Sequence, residues 1–252
     1  MSYKTALITG ASSGLGRGLA LALGKRGTHV VAAARRKVEL DSLVTEIMAS
    51  GGSAEALVLD CSQADATHDT IRSLDRKLSF DLVIANAGIG GPTPAQNINW
   101  PHVKRVLELN VLGACATLSA ALPGMVDRNA GHLVTMASLA GYNGLPTWAA
   151  YTASKAAMIA FAESLRIDLY GSGVSVTTIC PGYVETELTA KHQGKMPFIM
   201  KLDDAVPIML KAIDRRKPLC AFPKTMSAIA RSGQIIPRGL YRWSVRKSKL
   251  AT

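Results

Sequence analysis

A phenol and an ammonium stand four positions apart in the segment AAYTASKAAM, where Tyr151 precedes Lys155. On a helix, side chains at i and i+4 share one face, with Cβ atoms about 5–6 Å apart, so the two groups can converge on one point. A nearby cation lowers the pKa of a phenol, and such a phenol can exchange protons with a substrate. Two interpretations are open: a proton-transfer pair, or a surface tyrosine and a solvated lysine sharing a helix.

The elements that would position this pair follow from the hydrophobic pattern. Short apolar runs predict seven buried strands, at residues 5–9, 29–34, 56–59, 82–85, 132–136, 175–179 and 219–222. Segments of helical period lie between them, at residues 15–26, 38–50, 68–78, 100–123, 149–170 and 203–216. Strands that alternate with helices predict a parallel sheet covered on both faces. We expect one doubly wound α/β domain of Rossmann type over residues 1–224, with its ligand site beyond the carboxyl ends of the strands.

The first strand leads into the glycine-rich segment TGASSGLG. Gly10, Gly14 and Gly16 would let the backbone turn tightly and present N–H groups and a helix N-terminus to a pyrophosphate. The same three glycines could also form a simple turn. Their position between a strand and a helix favours a dinucleotide site.

The second strand is followed by Arg35 and Arg36, where a dinucleotide fold usually places an acid for the adenosine ribose. A guanidinium can bind a ribose 2′-phosphate with two charge-assisted hydrogen bonds, whereas a carboxylate would repel it. We therefore expect NADP(H) to be preferred over NAD(H), with Arg35 the first candidate for the contact and Arg36 the second. A solvated basic helix start is the alternative.

Composition limits the other classes of protein. The 252 residues are 48% hydrophobic and 19% charged, and the four cysteines are scattered, which predicts a globular protein with reduced thiols in the cytoplasm. We expect no signal peptide and no membrane-spanning helix. The net charge of +11 is concentrated at one end, because ten basic residues and no acidic residue follow Asp214. No base-reading motif accompanies this charge, so we do not expect a nucleic acid partner.

Several motifs in one order resemble those of the short-chain dehydrogenase/reductase family, in its form of about 250 residues. They are TGASSGLG at Thr9–Gly16, Asp60, NAG at Asn86–Gly88, Asn110, Ser138, YTASK at Tyr151–Lys155 and PGYVET at Pro181–Thr186. The resemblance implies an oxidoreductase that transfers hydride between a nicotinamide cofactor and a carbonyl or alcohol. A catalytically idle NADP(H)-binding sensor or scaffold is the alternative.

The resemblance also implies a role for each matching residue. The catalytic set would be Asn110, Ser138, Tyr151 and Lys155, with Tyr151 as general acid, Ser138 as a donor to the same oxygen, and Asn110 holding a water that relays protons to Lys155. Ser138 could instead be a strand-end turn residue, and Asn110 could mark a helix kink. The cofactor would contact Gly10, Ser12, Ser13, Gly14, Leu15, Gly16, Arg35, Arg36, Asp60, Cys61, Asn86, Ala87, Gly88, Tyr151, Lys155, Pro181, Gly182, Val184 and Thr186.

The candidate substrate residues are mostly apolar, which favours a hydrophobic ketone or an acyl chain, although such residues can also simply close a lid. They are Ser138, Tyr142, Leu145, Tyr151, Tyr183 and Leu188, with a substrate loop at about residues 187–202. His102, His132 and His192 have no nearby acid or cysteine in ligand spacing, so we expect no metal.

Residues 225–252 replace the glycine-rich ending that many members of the family carry. Basic residues there alternate with Ile235, Leu240, Tyr241 and Trp243, a mixture that could lie at an anionic membrane surface. The segment could also cover the substrate pocket, bind a partner, or pack on the domain as a solvated tail. The long helices around Asn110 and Tyr151 predict a homodimer or homotetramer, as the family commonly forms.

Overall fold

Seven parallel strands form the central sheet of the described residues. The structure of the protein, a computed structural model, describes residues 3–190 and 196–247. Within these residues the strands are β1 (Thr5–Thr9), β2 (His29–Ala34), β3 (Ser53–Val58), β4 (Leu82–Ala85), β5 (Gly131–Met136), β6 (Val174–Pro181) and β7 (Leu219–Phe222). They pair in parallel in the order β3-β2-β1-β4-β5-β6-β7. The predicted doubly wound Rossmann-type fold is confirmed.

Helices cover both faces of this sheet. In the described residues they are α1 (Gly14–Gly24), α2 (Lys37–Ala49), α3 (Ala64–Leu78), α4 (Trp100–Leu107), α5 (Ala114–Asp127), α6 (Ala149–Asp168), α7 (Glu187–Ala190), α8 (Leu202–Asp214), α9 (Lys224–Ile235) and α10 (Arg238–Lys247). The core on one face packs α1, α2 and α8 against the sheet. The core on the other face packs α3, α5 and α6.

The continuous apolar runs of the central strands follow from this two-sided burial. In β1, Ala6 and Ile8 point into one core while Leu7 points into the other. Because successive strand residues face opposite sides, a strand buried on both faces must be apolar throughout. β3 is not apolar throughout because it lies at the sheet edge, where Ser53 and Glu55 are exposed. The predicted run at 56–59 therefore found only the second half of that strand.

One helical stretch, Trp100–Asp127, is long and apolar enough to cross a membrane by length and composition alone. It consists of α4, a π-helical turn at Glu108–Gly113, and α5. More than half of its most apolar window is buried, and α5 packs against α3, β4 and β5. This burial is typical of a core helix of a soluble α/β domain.

His132 in β5 is a fully buried histidine whose two ring nitrogens both have partners. Its Nε2 lies 2.8 Å from the hydroxyl of Thr177, which itself donates to the carbonyl oxygen of Lys217. The ring must therefore donate at Nε2, and its Nδ1 lies 2.7 Å from the hydroxyl oxygen of Tyr3, which is also 3.2 Å from the carbonyl oxygen of Ile213. Burial of this site favours a neutral imidazole. Burial, with a smaller contribution from the charge of Arg216, lowers the pKa of His132 to about 3.

We expect this histidine to make the protein sensitive to acid. Between the ordinary histidine pKa of about 6.5 and about 3, the unfolded chain binds a proton that the folded chain rejects, so stability is lost as pH falls through that window. The loss from this group should be about 2 kcal/mol at pH 5. Chemical denaturation of the wild type and of His132→Gln at pH 7.5, 6 and 5 measures it. The free energy of unfolding should fall less steeply with acid in the variant, and parallel curves would contradict the assignment.

Candidate active site

The glycine-rich turn between β1 and α1 is shaped by close backbone approaches. Gly10 and Gly14 adopt left-handed φ values of +68° and +54°, a region that side chains disfavour. A Cβ on Gly16 would overlap the carbonyl oxygen of Gly10, so only glycine lets α1 begin this close to the turn. The turn leaves the first N–H groups of α1 free to bind an anion.

Asn86 fixes this turn to the end of β4. Its Nδ2 donates to the carbonyl oxygens of Thr9 at 2.9 Å and Gly10 at 3.1 Å. The Thr9 hydroxyl in turn accepts from the backbone N–H groups of Asn86 and Ala87. The predicted Asn86–Gly88 motif is thus joined to the predicted glycine turn. Thr9 was not singled out from the sequence, although its place at the end of β1 was visible.

A cavity of about 510 Å³ opens beside the glycine turn. Ser12, Ser13 and Gly14 form one wall, and Glu185, Thr186 and Glu187 form the wall opposite. A Cβ on Gly14 would lie 3.2 Å from the Thr186 side chain, so a larger residue would narrow the cleft. The hydroxyls of Ser12 and Ser13 and the free N–H groups suit a phosphate, whereas the carboxylates of Glu39, Glu185 and Glu187 in the same lining would repel one.

The two arginines after β2 take different positions. Arg36 donates from Nε and Nη2 to the hydroxyl of Ser12, at 3.2 and 3.0 Å, and its Nη1 lies 3.0 Å from the carboxylate of Glu187. Arg35 has a side chain that is 64% exposed, and its Nη1 lies 4.0 Å from Asp60. Arg36, the second candidate for the 2′-phosphate contact, is therefore the arginine whose guanidinium is hydrogen-bonded to the glycine turn.

Tyr151 and Lys155 lie one turn apart on α6, as the spacing predicts, and both point into the fold rather than into bulk solvent. Lys155 is only 6% exposed, and its Nζ donates to the carbonyl oxygen of Met136 at 2.8 Å. The same nitrogen lies 5.7 Å from the centroid of the Tyr151 ring. The interpretation as a solvated surface pair is wrong. Ser138, two residues after Met136, is also buried and donates to the carbonyl oxygen of Pro181 at 3.3 Å.

The pKa of Tyr151 is shifted in the direction opposite to the one expected from the sequence. Burial is the dominant influence and raises the pKa of Tyr151, although a hydrogen bond with Ser138 acts in the opposite direction. Burial also lowers the pKa of Lys155 to about 8. The sequence argument had Lys155 lowering the pKa of the phenol, but in the structure its ammonium is directed to the Met136 carbonyl. A phenol with a raised pKa stays protonated near neutral pH.

Asn110 lies within the π-helical turn and is 1% exposed. Its Oδ1 accepts from the N–H of Ile89 at 2.8 Å, while Nδ2 donates to the Ile89 carbonyl at 2.9 Å and to Ser154 at 3.0 Å. Its side chain bonds to the chain after β4 and not to its own helix, so a kink satisfied by a local bond does not explain it. Asn110 thereby connects the Asn86–Gly88 motif with α6.

The remaining predicted cofactor residues surround the same edge of the sheet. Val184 is buried in the core beside α8, and the N–H of Thr186 donates to the hydroxyl of Thr189 at 2.9 Å. Gly182 packs against Met226 of α9. The Cys61 side chain is buried in the core, where burial raises its pKa to about 12, and its carbonyl oxygen packs against Gly113.

Apolar side chains surround Tyr151 near Gly90. A Cβ on Gly90 would lie 3.3 Å from Trp148 and 3.6 Å from both Leu188 and Tyr151, so these side chains converge on one point. Trp148 also meets the Tyr151 ring edge-on at 5.8 Å between centroids. Tyr142, Leu145 and Tyr183 are partly exposed in the flanking segments. The predicted substrate loop includes 191–195, and these residues, with His192 among them, lie outside the described part of the chain.

The described residues contain no cluster of potential metal ligands. Among residues 3–190 and 196–247, no group of three or more His, Cys, Asp or Glu side chains is arranged to hold an ion.

A nucleotide turn that shares one sheet edge with a half-buried tyrosine and a buried lysine is the arrangement of a nicotinamide-dependent oxidoreductase. The family profile for short chain dehydrogenase matches residues 4–196, and the chain belongs to this family. It is an NAD(P)-dependent dehydrogenase/reductase.

Individual relatives are similar over nearly the whole chain. An oxidoreductase of Myxococcus xanthus, named as uncharacterized, is 50% identical over 248 residues, which cover 98% of each chain. The ketoacyl reductase HetN of a Nostoc species is 31% identical over 260 residues, covering 96% of this chain and 90% of its own. A short-chain dehydrogenase of Sphingobium yanoikuyae, solved in complex with NADPH, is 28% identical with a TM-score of 0.83, and the match covers 94% of each chain.

Proposed function

We propose that the protein reduces an apolar carbonyl compound, a ketone, an aldehyde or an acyl-chain substrate, to the alcohol with NADPH, and can run the reverse reaction. The observation that carries the proposal is the convergence of Tyr151, Trp148 and Leu188 next to Gly90, above the buried Lys155. A proton donor is thus walled by apolar side chains at the carboxyl edge of the sheet. The relatives named as ketoacyl reductase and 3-oxoacyl-[acyl-carrier-protein] reductase support the substrate class.

The proposed roles follow from this placement. The bound reduced nicotinamide supplies the hydride that goes to the carbonyl carbon. Tyr151, protonated near neutral pH because burial raises its pKa, donates its proton to the developing alkoxide. Ser138 stabilises the same oxygen with a hydrogen bond. Lys155 stays mostly charged below its pKa of about 8 and supports the return of a proton to Tyr151, with Asn110 holding the relay in place.

We also propose the cofactor contacts and the preference for NADP(H) over NAD(H). The hydroxyls of Ser12 and Ser13 beside the cavity suit the phosphates. Asp60 follows β3, and Asn86, Ala87 and Gly88 follow β4, at the same carboxyl edge of the sheet. Arg35 and Arg36 face the end of β2, where a 2′-phosphate would meet two cations. The NADPH of the Sphingobium relative is consistent with this preference.

The idle sensor or scaffold is the weaker alternative, because nothing in the chain favours it over an enzyme. A module that only bound NADP(H) would have no use for a proton donor at the wall of an apolar pocket. Keeping Lys155 buried is costly, since burial alone lowers its pKa to about 8.

We propose a homodimer or homotetramer assembled through the outer faces of α5 and α6. Ile167 in the last turn of α6 is exposed, as are Val126 in the last turn of α5 and Leu112 in the π-helical turn before it. Exposed apolar groups on neighbouring helices are typical of a protein interface.

We further propose that residues 225–252 form an extension to the catalytic domain of residues 1–224, and that it brings this cytoplasmic protein to anionic membranes. On α10, Tyr241 and Val245 face the domain, while Leu240 and Trp243 are exposed. Arg242, Arg246 and Lys247 are exposed on the same helix, and each could contribute about 1 kcal/mol at an anionic surface. Lys249, also part of the basic segment, lies outside the described residues.

Tyr151→Phe tests the catalytic proposal. The variant keeps the ring and loses the acidic proton, so turnover of a carbonyl panel should fall by about 10²-fold or more while NADPH affinity, measured by fluorescence titration, stays the same. Tyr170→Phe, at an exposed tyrosine far from the pocket, is the control. Retained turnover in Tyr151→Phe would reject Tyr151 as the acid.

Arg35→Ala and Arg36→Ala test the cofactor preference. Arg35→Ala should weaken NADPH binding by about 10-fold and leave NADH binding nearly unchanged, because only NADPH carries the phosphate that the guanidinium would bind. Arg36→Ala also removes the bonds to Ser12, so it should weaken both cofactors, and NADPH more than NADH. Lys37→Ala is the matched control, since its ammonium pairs with Asp41 at 2.6 Å. Equal losses for both cofactors would place the phosphate contact elsewhere.

The membrane proposal predicts binding to vesicles that contain phosphatidylglycerol but not to vesicles of phosphatidylcholine alone. Leu240→Ser with Trp243→Ser should reduce co-sedimentation by at least about 10-fold, because two apolar anchors are lost. Met48→Ser, at an exposed methionine of α2, should have no effect. Binding that is equal in both mutants and wild type, or absent in all three, would contradict a lipid-facing α10.

A further inference from the structure

Three consecutive residues of the loop between Ser138 and Tyr151 are bonded to the last two helices. The side chain of Gln234 donates to the carbonyl oxygen of Tyr142 at 3.3 Å. The amide of Asn143 donates to the carbonyl oxygen of Ala230 at 2.6 Å, and the hydroxyl of Tyr241 donates to the carbonyl oxygen of Gly144 at 2.8 Å. These bonds join segments that are 87 to 97 residues apart in the chain.

Apolar packing joins the same segments beneath the active site. Ala137, Leu139 and Cys180 form a small buried cluster, and Met226 and Ala230 of α9 pack against it. Ala137 and Leu139 are the two neighbours of Ser138. The helix α9 therefore supports the backbone on both sides of the serine.

The other side of the loop rests on α6. Gly141 approaches α6 so closely that a Cβ there would lie 2.8 Å from the carbonyl carbon of Lys155. Nearer to Tyr151, the hydroxyl of Thr93 accepts from the N–H of Ala150 at 3.2 Å. The loop is thus held between α6 and the C-terminal helices.

The loop has little regular structure of its own to hold this position. Between β5 and α6 it contains one short 3₁₀ turn at Leu139–Gly141, and Thr147 adopts a left-handed φ of +60°. A segment of this kind keeps one conformation only when its surroundings fix it. The contacts from α9 and α10 are therefore external restraints on residues 142–144, in addition to the packing on α6.

We propose that α9 and α10 act as a brace for the active site, with Asn143, Gln234 and Tyr241 as positioning residues that hold the loop between Ser138 and Tyr151. They act through the loop and do not contact the reacting atoms. The proposal deepens and rests on the proposed carbonyl reduction. It gives residues 225–247 a structural role on the substrate side that does not depend on membranes.

The test uses Tyr241→Phe, which removes one donor and keeps the ring, and Asn143→Ala, which removes the bond to the Ala230 carbonyl and the longer one from Arg238 at 3.5 Å. Hydrogen exchange of the full-length protein should show faster exchange at residues 139–148 in both variants and no change in the glycine turn. Turnover of a carbonyl substrate should fall by about 3- to 10-fold, with NADPH affinity unchanged, as expected for one lost hydrogen bond. Tyr170→Phe is the control that should leave every measurement unaltered.

A double-mutant cycle separates positioning from general stability. If the brace acts through Ser138, Tyr241→Phe should cost much less turnover in a Ser138→Ala background than in the wild type. Unchanged loop exchange, unchanged turnover, full additivity with Ser138→Ala, or a matching loss of NADPH affinity would each overturn the proposal. If the wild type reduces no carbonyl, the proposed function fails, whereas the exchange measurement still decides whether the helices hold the loop.

Discussion

The buried ammonium of Lys155 is the constraint on which the arrangement of the active site depends. A lysine that is 6% exposed loses most of its hydration, and its Nζ has a hydrogen bond to the Met136 carbonyl in compensation. The hydrogen bond therefore fixes the distance between the end of β5 and α6. At this distance Ser138, two residues beyond Met136, lies next to the helix that carries Tyr151.

Side-chain amides connect the loops at the carboxyl edge because the strands end there and no longer bond one another. Asn86 binds the carbonyls of the glycine turn, and Asn110 binds both backbone groups of Ile89. Each asparagine is buried or half-buried and makes several bonds to backbone groups that would otherwise lack partners. The motif at Asn86–Gly88 is therefore held from the nucleotide side by Asn86 and from the proton-transfer side by Asn110. This is a direct physical link between the two halves of the site.

Most strands and the grouping of the motif residues at one sheet edge could be predicted from the sequence, because the period of apolar residues and the spacing of the motifs are local signals. The strands β1, β2, β4 and β7 begin and end where the pattern indicates. The edge strand β3 was found only in part because its exposed side lacks the apolar signal. The π-helical turn around Asn110 and the direction of Lys155 depend on contacts between distant segments, which periodicity does not encode. The same limit applies to α9 and α10, whose partners lie about 90 residues earlier in the chain.

The position of α9 follows from the order of the strands. β7 is one edge of the sheet, and α9 begins after a single residue, Pro223. Met226 and Ala230 of α9 pack with Leu219 and Ala221 of β7 against the buried cluster of Ala137, Leu139 and Cys180. The helix therefore lies on one face of β7, and because β6 alone separates β7 from β5, it is placed next to the loop after β5. A role in supporting the active site thus follows from where the chain continues after its last strand.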